Sequence, residues 1–192
     1  MKHLLRLSIT VMVYGCLLAC SDDDDTTVEK QGELRLDWEV FDLGQSALIK
    51  LQSNNQTVFQ INLYHNTTRI ALDDFERVDI LGRGTVDDVD FFIYGINAGT
   101  DDFPLAATYE NDTRALSPLQ FSDAEILVRR NASGGAGNIV AYEYESGTFA
   151  IDAQSESRFT LSWDMVFVND DDPSDIVDVT GSYEGAFLFS EF

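Results

Sequence analysis

The chain has 192 residues, with 34 Asp and Glu against 12 Lys and Arg and a formal net charge of -22. That length suits one domain with a real core, and a hydrophobic content of 44% excludes a wholly disordered chain. The acid excess argues against nucleic-acid partners, whose phosphates demand a basic face.

Lys2, His3 and Arg6 open the chain, and an apolar run follows from Leu7 to Leu18. The run is too short to span a bilayer comfortably, which takes ~20 apolar residues. A basic start, a short apolar stretch and a small residue before the cut make a secretory signal. The run ends Leu17-Leu18-Ala19-Cys20, which resembles the lipobox of bacterial lipoproteins. The resemblance implies that residues 1–19 are a lipoprotein signal peptide. It also implies that a dedicated peptidase cuts before Cys20, whose thiol carries a diacylglyceryl group. An ordinary signal peptide and an N-terminal membrane helix are the alternatives. The cysteine at the end of the run speaks against the first, and the run length and the acid block behind it against the second. Cys16 leaves with the signal, so no cysteine remains for a disulfide, a nucleophile or a zinc site. His65 is then the sole histidine.

Behind Cys20 stands Ser21-Asp22-Asp23-Asp24-Asp25, which resembles the lipoprotein export signal of Bacteroidota. It implies transfer to the outer face of the outer membrane, through lipoprotein processing and export machinery. The alternative is a solvated acidic spacer that keeps the domain off anionic head groups. Asp25-Thr26-Thr27 resembles the O-glycosylation acceptor of the same phylum, with Thr26 as the acceptor. Residues 20–32 read as acylated cysteine, export signal and flexible tether, and residues 33–192 as the folded domain.

From residue 33 the pattern is period two. Leu34, Leu36, Trp38 and Val40 alternate with charged residues and predict one half-buried strand. Further strands are expected at 46–52, 57–64, 76–81, 89–96, 105–110, 125–130, 138–145 and 147–152. Ser146-Gly147 is expected as a turn between the last two, and 70–78 could equally stripe a helix face. Phe159, Leu161, Trp163, Met165 and Phe167 share one face of 157–168. Its expected partner is 176–189, where Gly181 and Gly185 suggest a bulge or sharp bend. About ten short strands with little helix make an all-β domain: a single antiparallel β-sandwich or a small barrel. The stretch from Ser146-Gly147-Thr148-Phe149 to Gly181-Ser182-Tyr183-Glu184-Gly185 resembles small β-rich lipoproteins of Bacteroidota, a likeness of pattern that transfers no active site.

Catalytic signatures are missing: no Ser/His/Asp motif, no phosphate-binding glycine loop, no paired histidines and no cysteine cluster. His65, alone at a strand end, reads as a surface residue. Asp170, Asp171, Asp172 and Asp175 crowd the loop of the strongest hairpin, where hard oxygen ligands would suit calcium. Asp87, Asp88, Asp90, Asp101 and Asp102 rank behind them. The competing reading is that these acids solubilise loops and protect strand edges. Trp38 and Trp163 both fall on apolar phases and are assigned to the core. Phe91 and Phe92 put one ring on each face of their strand.

The expected function is a lipid-anchored outer-membrane protein facing the cell exterior, or alternatively the periplasm. Its domain is read as a non-catalytic binding or accessory module of unknown ligand, with calcium the one cofactor suggested. A passive envelope or adhesion component is the alternative. An acid-based glycoside hydrolase, needing two convergent carboxylates, is the least favoured.

Overall fold

The structure is a computed structural model that describes residues 28–53, 56–84, 86–100, 103–113, 117–130, 138–155 and 157–191. Twelve strands and no helix occur among these residues: β1 (Gly32–Leu36), β2 (Glu39–Ser53), β3 (Gln56–His65), β4 (Arg69–Leu72), β5 (Val78–Gly82), β6 (Asp88–Ile96), β7 (Ala107–Asn111), β8 (Gln120–Phe121), β9 (Asp123–Arg130), β10 (Asn138–Gln154), β11 (Arg158–Asn169) and β12 (Ile176–Glu191). The order β11-β12-β1-β2-β3-β6-β9-β10 closes through β10 onto β11, making an eight-stranded barrel. Of the two all-β architectures expected, the chain adopts the barrel. No described helix is long and apolar enough to cross a membrane.

β11 shows why the alternation works. Phe159, Leu161, Trp163, Met165 and Phe167 are all buried, and the residues between them face out. β11 pairs with β12 from Arg158↔Ala186 to Val168↔Ile176 without a register shift. Gly181 and Gly185 therefore mark no bulge, the first of the two readings expected of them. A Cβ at Gly181 would lie 2.5 Å from Trp163 Cζ2, so the glycine makes room for the indole of the facing residue. At Gly185 the Tyr183 hydroxyl stands 2.5 Å from where a Cβ would be. Beyond the short β1, β12 runs parallel to β2, pairing Phe187↔Ser46 through Glu191↔Lys50.

Aromatic rings fill the bore. Phe91 lies 5.1 Å from Trp163 and 6.1 Å from Phe167, and Phe159 stacks on Phe187 at 4.1 Å. Tyr109 stacks on Phe149 at 4.8 Å, where β7 takes over from β9 as the neighbour of β10. Each fully buried side chain of this size contributes ~1.5–3 kcal/mol, so thirty buried residues in one cluster make the bore the main source of stability.

Three expectations are corrected. The strand expected over 33–40 breaks into a hairpin, because Asp37 takes a left-handed conformation (φ 54) and its Oδ1 accepts from Asp178 N at 3.1 Å. Trp38 consequently sits on the turn and is 87% exposed, not in the core. Ser146-Gly147 is not a turn either. β10 continues through it with a register shift between Tyr144 and Ser146, and Gly147 (φ 113) absorbs the distortion. The ambiguous segment resolves to strand: β4 and β5 join through a turn whose Asp73 Oδ1 accepts from Phe75 N and Arg77 N. This hairpin forms its own two-stranded sheet. It lies on the outer wall against Ala47, Tyr64, Phe92 and Leu188.

The segment ahead of β1 is not free tether up to residue 32. Val28 N donates to Asn66 O at 2.6 Å, Gln31 N to Leu43 O at 2.7 Å, and Lys30 pairs with Asp42 at 2.7 Å.

Candidate functional site

Polar chemistry collects at one end of the barrel, where β2, β6, β10 and β12 begin and β3, β9 and β11 finish. On β6, Val89, Phe91 and Ile93 enter the bore while Asp88 and Asp90 lie on the opposite phase. Those two aspartates are nonetheless fully buried. Arg83, from the segment after β5, forks onto Asp90 with Nη1 to Oδ1 at 3.0 Å and Nη2 to Oδ2 at 2.7 Å. Its Nη1 also donates to Thr68 Oγ1 at 3.3 Å. Arg129, directly across from Asp88, places Nη1 2.9 Å from Asp88 and Nη2 2.9 Å from Asp90. Burial works against the charge of Arg129, yet Asp90 and Asp88 hold its pKa above the ordinary arginine value. Two guanidiniums thus neutralise two carboxylates, and only Asp88 Oδ2 is left without a hydrogen-bond partner. Planar forks of this kind fix geometry as well as charge. Chemically the arrangement is a clamp.

Next to it, Arg130 reaches across the mouth of the bore to both carboxylate oxygens of Glu39, Nη1 to Oε1 at 3.0 Å. Its guanidinium lies 5.8 Å from the Phe41 ring, and the bond to Glu39 raises its pKa. His65 is buried, not a surface residue. Its ring meets Phe41 edge-on at 6.3 Å, and its Nδ1 accepts from Thr67 N at 3.4 Å with Thr67 Oγ1 2.8 Å away. Burial pushes the imidazole below its ordinary pKa, against the opposing pull of Asp88, Asp42 and Asp90.

The acidic loop closes the same end, and the structure does not bring its carboxylates together. Asp172 Oδ1 accepts from Ser174 N and Oγ at 3.1 and 2.7 Å, bonds that lower its pKa. Asp175 Oδ2 accepts from Asn169 Nδ2 at 2.9 Å and Tyr142 Oη at 3.4 Å. Asp170 and Asp171 are exposed, and their backbone amides bind Ala141 O and Asn169 Oδ1. Among the described residues no group of three or more His, Cys, Asp or Glu could hold a metal ion. Asp87 approaches Arg130 at 3.6 Å. Asp101, Asp102, Cys20, the Ser21–Asp25 run and Thr26 lie outside the described residues.

Two rings are the most exposed aromatics described: Trp38, and Phe75 at 75% with the Arg77 guanidinium 5.0 Å from its centroid. Trp163 is buried as expected, with its Nε1 unpartnered. A shallow groove of about 470 Å³ runs where the segment before β1 crosses β12, lined by Glu29, Lys30, Gln31, Gly32, Arg158 and Glu184. Arg83 and Arg129 carry no motif in the sequence. The one signal for the clamp was the spacing of Asp88 and Asp90, which alternate with Val89 and Phe91 on one strand. No protein-family model, curated protein or solved structure matches the chain.

Proposed function

We propose that the chain is a lipid-anchored outer-membrane protein facing the cell exterior, whose barrel is a non-catalytic binding or accessory module. The observation behind this reading is the lipobox Leu17–Cys20 joined directly to Ser21 and four aspartates. The chain is tied to the barrel wall from Val28 onward. Seven residues then separate Cys20 from Val28, a reach of at most ~29 Å when fully extended. Such a short connection would hold the barrel close to its membrane. A bore filled with rings leaves the outer surface as the place for a ligand, with Trp38 and Phe75 as its most exposed aromatics. The same filled bore favours the second reading, a passive envelope component without a ligand pocket.

The anchoring is tested by fatty-acid labelling together with protease shaving of intact cells. Cys20→Ala should lose the label, because stable attachment rests on acyl chains at ~0.8 kcal/mol per buried methylene. Replacing Asp22 to Asp25 with Ala should keep the label and abolish shaving. Equal labelling of wild type and Cys20→Ala would defeat the anchor, and equal shaving would reduce the aspartates to a spacer.

A further inference from the structure

The β4–β5 hairpin is the one element of the described chain that shares no sheet with the barrel. The barrel closes on itself without it. By register, Ile70 faces Ile80 and Leu72 faces Val78, so these four share one side of the hairpin. Of them only Ile70 is buried, while Leu72 and Ile80 remain 38% and 40% exposed. An apolar face this poorly covered is lightly seated. Its polar ties to the wall are few: Ile70 N donates to Gln45 Oε1 at 2.8 Å, and Ser190 Oγ to Glu76 O at 2.6 Å. The strongest tie is Arg83, immediately past β5, forked onto the buried Asp90.

We propose that the β4–β5 hairpin is a lid that lifts off the closed barrel, with Arg83 as its catch. Beneath it lie Tyr64 and Phe92, whose rings meet edge-on at 6.2 Å. Asn62 stands beside them, its Nδ2 donating to Tyr64 Oη at 3.0 Å. Ala47 and Leu188 complete the covered patch. Opening also frees the Asp90 carboxylate, leaving Arg129 as its partner. A wall that shows only part of Phe92 when shut would then present two full rings, an amide and a carboxylate. The inference stands apart from the membrane anchor, since nothing in it depends on Cys20.

Hydrogen exchange of the full chain tests it, in the regime where rates report opening equilibria. A lone two-stranded hairpin is marginal in water, so its amides exchange once it leaves the wall. In the wild type, amides of 70–81 should exchange ahead of those of β11. Arg83→Gln should accelerate 70–81 by about 100-fold or more, since it strips a partner from a buried carboxylate, while β11, which waits for global unfolding, speeds by no more than the same factor and stays the slower segment. Ser190→Ala, which removes a tie without orphaning a charge, should accelerate the same segment by a smaller factor. The lid is overturned if 70–81 and β11 exchange together in the wild type and in Ser190→Ala. It is equally overturned if Arg83→Gln leaves the exchange of 70–81 unchanged.

Discussion

The bore and the outer wall beside β4–β5 are both covered, but different chemistry holds them. In the bore, rings and branched chains meet one another, and burial itself supplies the attraction. On the covered wall, Asp88, Asp90, Arg83, Arg129 and Thr68 interlock, and each depends on its partner being present. Dispersion contacts are numerous and individually weak, so losing a few is tolerated. A buried charge is all or nothing. The bore should therefore forgive conservative change, and the clamp should not.

The largest effect expected from this difference comes from Asp90→Asn. It leaves Arg83 and Arg129 with one carboxylate between them, and breaking a buried pair costs ~3–5 kcal/mol. A volume-conserving change in the bore, Met165→Leu, should cost less than about 1.5 kcal/mol. Urea unfolding of both variants makes the comparison. Similar small losses would mean that the clamp carries no more weight than ordinary packing.

A smaller effect concerns His65, where wall and bore meet. Its amide contact with Thr67 requires a lone pair on Nδ1, and burial depresses the pKa. In the unfolded chain the imidazole takes up a proton near its ordinary pKa of about 6.5. The unfolded state thus binds more protons as pH falls through that value, and the stability present above it is lost. Carboxylates with lowered pKa, such as Asp172, titrate well below this window. Melting temperature should fall between pH 7.5 and 5.5 in the wild type, and His65→Gln should flatten that slope. An unchanged slope in the variant would assign the pH response to other groups.

The same division explains what could be read from the sequence. β11 was legible residue by residue because one of its faces is buried and the other wet, which is the condition under which period two carries information. β6 was half legible. Val89, Phe91 and Ile93 announce the bore, but Asp88 and Asp90 look like a solvated face, and nothing local reveals that Arg83 and Arg129 fold onto them. His65 was misread for the same reason: its cover comes from Phe41 and Thr67 through tertiary packing. The calcium reading of Asp170 to Asp175 counts carboxylates, whereas Asp172 and Asp175 bond within their own loop, to Ser174 and Asn169. Trp38 was lost to an alternation that ran unbroken through a turn, because Asp37 adopts its left-handed conformation without a glycine to mark it.

The two tryptophans give the smallest effect and the sharpest contrast. Trp38 stands on the β1–β2 turn in water, and Trp163 lies in the bore against Phe91 and the backbone of Gly181. Truncating an exposed turn residue that holds no structural contact should change stability by no more than about 0.5 kcal/mol. Trp38→Ala should therefore unfold at nearly the wild-type urea concentration. Its fluorescence should nonetheless change character. The wild type should show one emission component that acrylamide quenches readily and one that it does not reach, and the variant should keep only the second. A clear loss of stability in Trp38→Ala, or a single component resistant to quenching in the wild type, would mean that the turn is covered and that its ring belongs with the packed interior.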